Sequence, residues 1–155
     1  MNNSYDLHHS KPECQKYYVK AKERLIEADK AFREKEYNLA EEYYEIGLFL
    51  ISNMDDRRYD EELKYRLIKG VLETKQLSKS YGEQEHRHLF DYAIEYAIDK
   101  DFEEEVLELY FGAWEYAISD CKYEEAKKIV SDLYKKGTSL GKGNWIDLSY
   151  YFQGM

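Results

Sequence analysis

Apolar and small residues recur along this chain at alternating steps of three and four. Tyr37, Ala40, Tyr44, Gly47 and Ile51 follow that rhythm, and Tyr123, Ala126, Val130, Leu133 and Gly137 repeat it in the same order. Phe102, Val106, Leu109, Ala113 and Tyr116 run similarly, as do Leu63, Leu67, Gly70, Thr74 and Leu77. Such steps track the 3.6-residue turn of an amphipathic helix. An earlier stripe, Tyr17, Ala21, Leu25, Ala28 and Phe32, predicts a first helix, with Ser10 as its N-cap and Pro12 in its first turn, where a missing N–H costs little. The stretch after Tyr81 is polar ("GEQEHRH") until Leu89, Ala93 and Ala97 take up the stripe. No segment alternates with period two, so no strand is expected.

An aromatic residue stands just after a short polar turn at Tyr37, Tyr59, Tyr81, Phe102, Tyr123 and Trp145, at intervals of 22, 22, 21, 21 and 22 residues. The pattern predicts an all-α chain of six long helices, at 12–34, 37–54, 57–80, 83–99, 102–119 and 122–137, plus a short C-terminal helix from Trp145. Asp101 and Glu104 have the spacing of a capping box for the fifth of these. The glycine-rich "GTSLGKGN" predicts a flexible loop over 137–144, and residues 1–11 a flexible N-terminus ahead of a single domain at 12–155.

Two middle helices carry a second stripe. Leu39, Tyr43, Ile46 and Leu50 form one, and Leu107, Phe111, Trp114 and Ile118 the other. A helix apolar on two sides calls for neighbours on both. The helix at 122–137 instead has Lys122, Glu125, Lys128 and Asp132 on its outside, as a polar-capped end helix would. The pattern predicts stacked antiparallel helical hairpins.

Residues 24–48 resemble a tetratricopeptide repeat: Ala28, Ala40 and Gly47 fall at its three small-residue positions, Tyr37 opens the second helix, and Tyr44 takes the later aromatic position. Residues 89–113 match through Leu89, Ala93, Tyr96, Phe102 and Gly112, while Glu105 departs from the pattern where a small crossing residue belongs. The helix pairs are longer than the family's usual unit of about 34 residues. Long-helix versions occur in bacterial peptide-sensing regulators of the Rap and PlcR type, and "YYFQGM" (Tyr150 to Met155) is similar to a segment of a Rap-type repeat. The resemblance implies a tetratricopeptide-like α-solenoid that binds a peptide or a partner protein. On that resemblance Arg24, Tyr65 and Arg66 lie on first helices, which face the groove.

Composition narrows the function. The formal charge is −9 over 155 residues, so the average field repels a polyanion and nucleic acid is not the expected partner. No window reaches the apolar length of a membrane span, and "MNNSYDLHHSK" reads as neither signal peptide nor anchor. The only cysteines, Cys14 and Cys121, lack CxxC spacing, as expected of a reduced, cytoplasmic chain. Seventeen tyrosines provide apolar bodies with polar tips for packing layers that touch water at their edges.

Catalytic patterns are sparse. His86 and His88 are two apart, so on a helix they diverge, unlike the i, i+4 pair of a zinc-binding HExxH; both read as polar-face histidines. Acidic runs such as Glu103-Glu104-Glu105 suit helix N-termini. "GTSLGKGN" lacks the phosphate-loop pattern. Recognition is the remaining class, with Tyr110, Phe111 and Trp114 as an aromatic patch on one helix. The expected function is thus a non-catalytic protein- or peptide-binding module, a regulator or adaptor, without cofactor or metal. A metal-dependent hydrolase using the His86/His88 region and a secretion-type chaperone are the alternatives, and the apolar "WIDLSYYF" end leaves a homodimer open.

Overall fold

The computed structural model describes residues 12–53, 60–78 and 86–154, all helix apart from short turns, with no strand among them. Seven helices follow in order: α1 (Pro12–Arg33), α2 (Tyr37–Ser52), α3 (Glu61–Ser78), α4 (Arg87–Asp99), α5 (Glu103–Ser119), α6 (Tyr123–Leu140) and α7 (Gly143–Gln153). None is long and apolar enough to cross a membrane. Residues 1–11, with His8, His9 and the expected cap Ser10, residues Arg57, Arg58, Tyr59 and Tyr81, and Gly82 to Glu85 lie outside the described residues, as does the Cys14 side chain. The chain divides into two compact units, 1–82 and 83–155.

In the first unit α1 packs on α2 and α2 on α3. Along α2 and α3, Gly47 meets Leu67, Tyr44 meets Gly70 and Glu41 meets Lys75. One number rises as the other falls, so the helices run antiparallel. The two glycines face each other's large partner. A Cβ on Gly70 would lie 2.5 Å from the Tyr44 ring, and one on Gly47 would lie 2.6 Å from Leu67 Cδ2. Only hydrogen fits at either point, and each bare backbone makes the hollow that receives the opposite side chain. The Tyr44 hydroxyl then donates to Asp29 Oδ1 on α1 at 2.6 Å, so one side chain joins three helices. Burial first, and the Asp29 carboxylate second, hold its phenol well above the usual tyrosine range. Lys75, also buried, places its ammonium 2.6 Å from Glu41 and 3.7 Å from Glu45. Asp60 caps α3 by accepting the Leu63 N–H at 3.1 Å, and takes a second bond from the Tyr18 hydroxyl.

The second unit packs α4 on α5, α5 on α6 and α6 on α7. Its first stripe is buried through Val106, Leu109, Ala113 and Tyr116 on α5 and Ala126, Val130 and Leu133 on α6, while Phe102 and Tyr123, expected to open the two stripes, are exposed. The second stripes are only half-buried in both units; Leu39 stays 38% exposed. On α4 the buried face is Phe90, Ala93, Ile94 and Ala97, with Leu89 at its margin. On α1, Tyr18 and Ala31 join the core and Tyr17 is half-buried.

Four turns share one geometry. Lys35, Asp101, Cys121 and Gly141 take left-handed φ angles of 61°, 60°, 57° and 68°. In each, the next residue's N–H returns to a small residue in the preceding helix: Glu36 to Ala31, Phe102 to Ala97, Lys122 to Ala117 and Lys142 to Gly137, at 2.8–2.9 Å. The left-handed residue bonds inside that ring, closing a Schellman motif. The turn corrects several expectations. Asp101 forms no capping box, because it occupies the left-handed position that asparagine-like side chains tolerate, and α5 has no side-chain cap. Residues 137–144 are not a loop: α6 runs through Gly137 to Leu140, and α7 starts at Gly143. Gly137 is bare because Trp145 Cβ and Ile146 pack within 3.0–3.1 Å of where its own Cβ would be. Nor does α6 form a polar-capped end, since α5 and α7 both pack on it.

Candidate functional site

An open groove of about 770 Å³ lies in the second unit, between α5, α6 and α7. From α5 come Trp114 and Ile118, one turn apart, both on the second stripe. From α6 come the exposed Tyr123 and Tyr134 and, deeper between them, the buried Ala126 and Val130, with Lys127 and Ser131 alongside. From α7 come Phe152 and Gln153. Lys127 carries the only charge on the walls; its ammonium sits 3.3 Å from Glu124 in a pair that is largely solvent-exposed, and such a pair is readily exchanged.

The helix positions explain the walls. Phe152 is buried, and its ring stacks on Trp114 with centroids 4.8 Å apart and planes within 4°. Phe111 adds its ring at 6.2 Å from Trp114 and 6.0 Å from Phe152. Tyr134 and Tyr150 meet edge to face at 5.9 Å, and the neighbouring Tyr134 phenol raises Tyr150 above its usual value. The nearby Cys121 thiol likewise raises Tyr123. Two phenol rings stand at the mouth, with Tyr123 56% and Tyr134 39% exposed.

The expected recognition residues divide. Trp114 lines the groove and Phe111 supports it from behind. Tyr110 turns away: it is 1% exposed and donates from its hydroxyl to Asp132 Oδ2 on α6 at 2.6 Å. Burial, then that carboxylate, push its phenol well above the ordinary range. Its role is therefore the α5–α6 contact. In the first unit Arg24 bonds Glu27 through Nη1 at 3.0 and 3.2 Å and lies over the Tyr43 ring at 5.7 Å. Tyr65 is 3% exposed, which corrects its expected place on a groove surface. Arg66 alone of these three is open to solvent. Phe152, Ile118, Tyr123, Lys127 and Val130 escaped the sequence reading as site residues. The second stripe of α5 pointed to Ile118 and the aromatic "WIDLSYYF" to Phe152, whereas no such signal marked the α6 residues.

A smaller cavity of about 140 Å³ lies between α4, α5 and α7, walled by Ile98, Phe102, Val106 and Trp145. Lys142 lies at its edge, 3.8 Å from Asp101 and 3.9 Å from Glu103. The Trp145 indole N–H is buried and has no hydrogen-bond acceptor among the described residues.

His86 and His88 do diverge, but not as two polar-face residues. His86 is 3% exposed with its ring edge-on to Tyr116 at 5.7 Å, while His88 faces solvent. Among the described residues no three His, Cys, Asp or Glu side chains converge as a metal site would need. No family model, curated protein or solved structure matches this chain.

Proposed function

We propose that the chain is a non-catalytic interaction module, in which antiparallel helix pairs stack as a tetratricopeptide-like solenoid and hold a segment of a partner protein or a peptide. Regulators and adaptors, including the bacterial peptide-sensing regulators whose Rap-type repeat the C-terminal segment resembles, are the role that best suits such a module. The groove between α5, α6 and α7 carries the reading. Its walls present aromatic faces, small aliphatic groups, one ammonium, one amide and three hydroxyls, two of them phenols. Those groups bury and orient a chain, which is how helical grooves recognise peptides.

The stacking part of the proposal draws support from the repeated Schellman turn, whose small residue recurs at Ala31, Ala97, Ala117 and Gly137, and from full burial of Ala28, Ala40 and Gly47. The test of function is comparative capture from the source cell. Wild-type protein and Ser131→Arg, which sets a long cation across the groove from an exposed helical position, are used side by side. A recurring partner or eluted peptide lost with the variant supports the module. Identical captures by both proteins would remove the groove from the function.

A further inference from the structure

The shape of the groove and the helix that already fills its neighbouring half specify the form of the occupant. We propose that the groove takes an amphipathic helix from a partner, lying on α6 in line with α7 and bearing a carboxylate opposite Lys127. The inference rests on the reading of this groove as the binding site.

The floor is two antiparallel helices, and side chains in rows three and four apart make ridges that another helix's ridges interlock with. Trp114 and Ile118 form the row on α5; Tyr123, Ala126, Val130 and Tyr134 form the row on α6. The furrow between two such rows is already used by α7. Trp145 sits on Gly137, Tyr150 on Tyr134 and Phe152 on Trp114. Thus α7 descends α6 antiparallel and its helix ends at Gln153, while the same face of α6 continues to Tyr123. The open part is the continuation of an intramolecular helix–helix contact. From Ser131 to Tyr123 it covers about 12 Å at roughly 1.5 Å per residue, or two turns of a docked helix.

An extended strand fits this site poorly. Its backbone N–H and C=O groups would need partners, and the helices of the floor have spent theirs internally. A helix brings its backbone already satisfied. The acidic preference follows from charge: Lys127 is the only charged wall residue, and its exposed partner Glu124 can yield it to an incoming carboxylate without leaving a buried charge.

The experiment selects binders from a random 12-residue peptide display library against the full chain, then measures synthetic winners by fluorescence anisotropy. Expected winners have apolar residues three and four apart and at least one acidic residue. They gain affinity when stapled as helices and lose at least about tenfold with a central proline, which breaks the helix. Ser131→Arg weakens them at least about tenfold. Lys127→Glu weakens them by about threefold, as an exposed pair allows, and a Glu→Lys change in the peptide restores binding. Circular dichroism confirms that both variants fold. Winners that tolerate proline yet are lost with Ser131→Arg would overturn the helical form while leaving the groove as the site. Winners indifferent to Ser131→Arg, or no winners, would overturn both.

Discussion

Replacing Gly70 with alanine should destabilise the protein through Tyr44, although alanine is the better helix former. The added Cβ would lie 2.5 Å from Cδ1, Cε1 and Cζ of the Tyr44 ring, against the roughly 3.5–4.0 Å of ordinary carbon contacts. Ring and helix must therefore separate by about 1 Å. The ring has little freedom to yield, being 4% exposed and tied by its hydroxyl to Asp29 at 2.6 Å. Overpacking of this kind costs about 1–3 kcal/mol, and a strained hydrogen bond to a charged acceptor adds some fraction of its roughly 1.5–3 kcal/mol. Alanine's helix preference returns about 1 kcal/mol. The net loss should be about 2 kcal/mol, which lowers the urea midpoint by about 1 M at a slope of roughly 2 kcal/mol/M. In a Tyr44→Ala background the ring is gone, and the same Gly70→Ala change should stabilise by about 1 kcal/mol. Urea melts of the four proteins, followed by far-UV circular dichroism, complete the double-mutant cycle. An effect of the same sign in both backgrounds would refute the reasoning.

Three further outcomes follow from the same geometry. Lys35→Gly and Cys121→Gly should each stabilise by about 0.5–1 kcal/mol, since a left-handed residue costs about 1–2 kcal/mol and glycine's extra unfolded-state entropy returns about half of the gain; Gly141→Ala should lose about 1 kcal/mol, all read by thermal melts. Lys75→Ala leaves the half-buried Glu41 carboxylate without its ammonium and should cost about 1–3 kcal/mol, less than a fully buried pair; the same change should raise Glu45 further above its usual range, because burial already raises it and Lys75 opposes that, as a carboxyl NMR titration will record. Stability should be full below about pH 10 and fall above it, because the unfolded chain releases phenol protons there that Tyr44 and Tyr110 retain when folded. Tyr44→Phe/Tyr110→Phe should be less stable at neutral pH and show a shallower alkaline decline in urea melts.

The buried faces were legible because they obey helical periodicity. Ala40, Tyr44 and Gly47, then Leu63, Leu67, Gly70 and Thr74, are buried as their spacing implied. The ends of helices were much less so. Lys35, Asp101 and Cys121 stop helices without being glycines, since the pull of the buried small residue behind them holds the left-handed conformation. The glycines of "GTSLGKGN" misled for the converse reason: Gly137 exists for close packing, Gly143 opens a helix, and only Gly141 is a stop. At the site, Tyr110, Phe111 and Trp114 share one helix, yet neighbouring residues point about 100° apart. Which of them faced a groove depended on Asp132, 22 residues away, and on Phe152, neither of which local spacing reveals. The α6 wall escaped notice because Lys127 and Ser131 interleave its apolar residues with polar ones.

The left-handed residues Asp101, Cys121 and Gly141 stand twenty positions apart, so the repeating step in the second unit is a single helix rather than a pair. Each step reverses the chain's direction. Duplicating one step would present the terminal helix backwards and turn the furrow's polarity around. Two steps, about 40 residues, would restore the original sense. Gene duplications or designed extensions that preserve this surface should therefore arrive in even numbers of helices, and odd insertions should present it reversed.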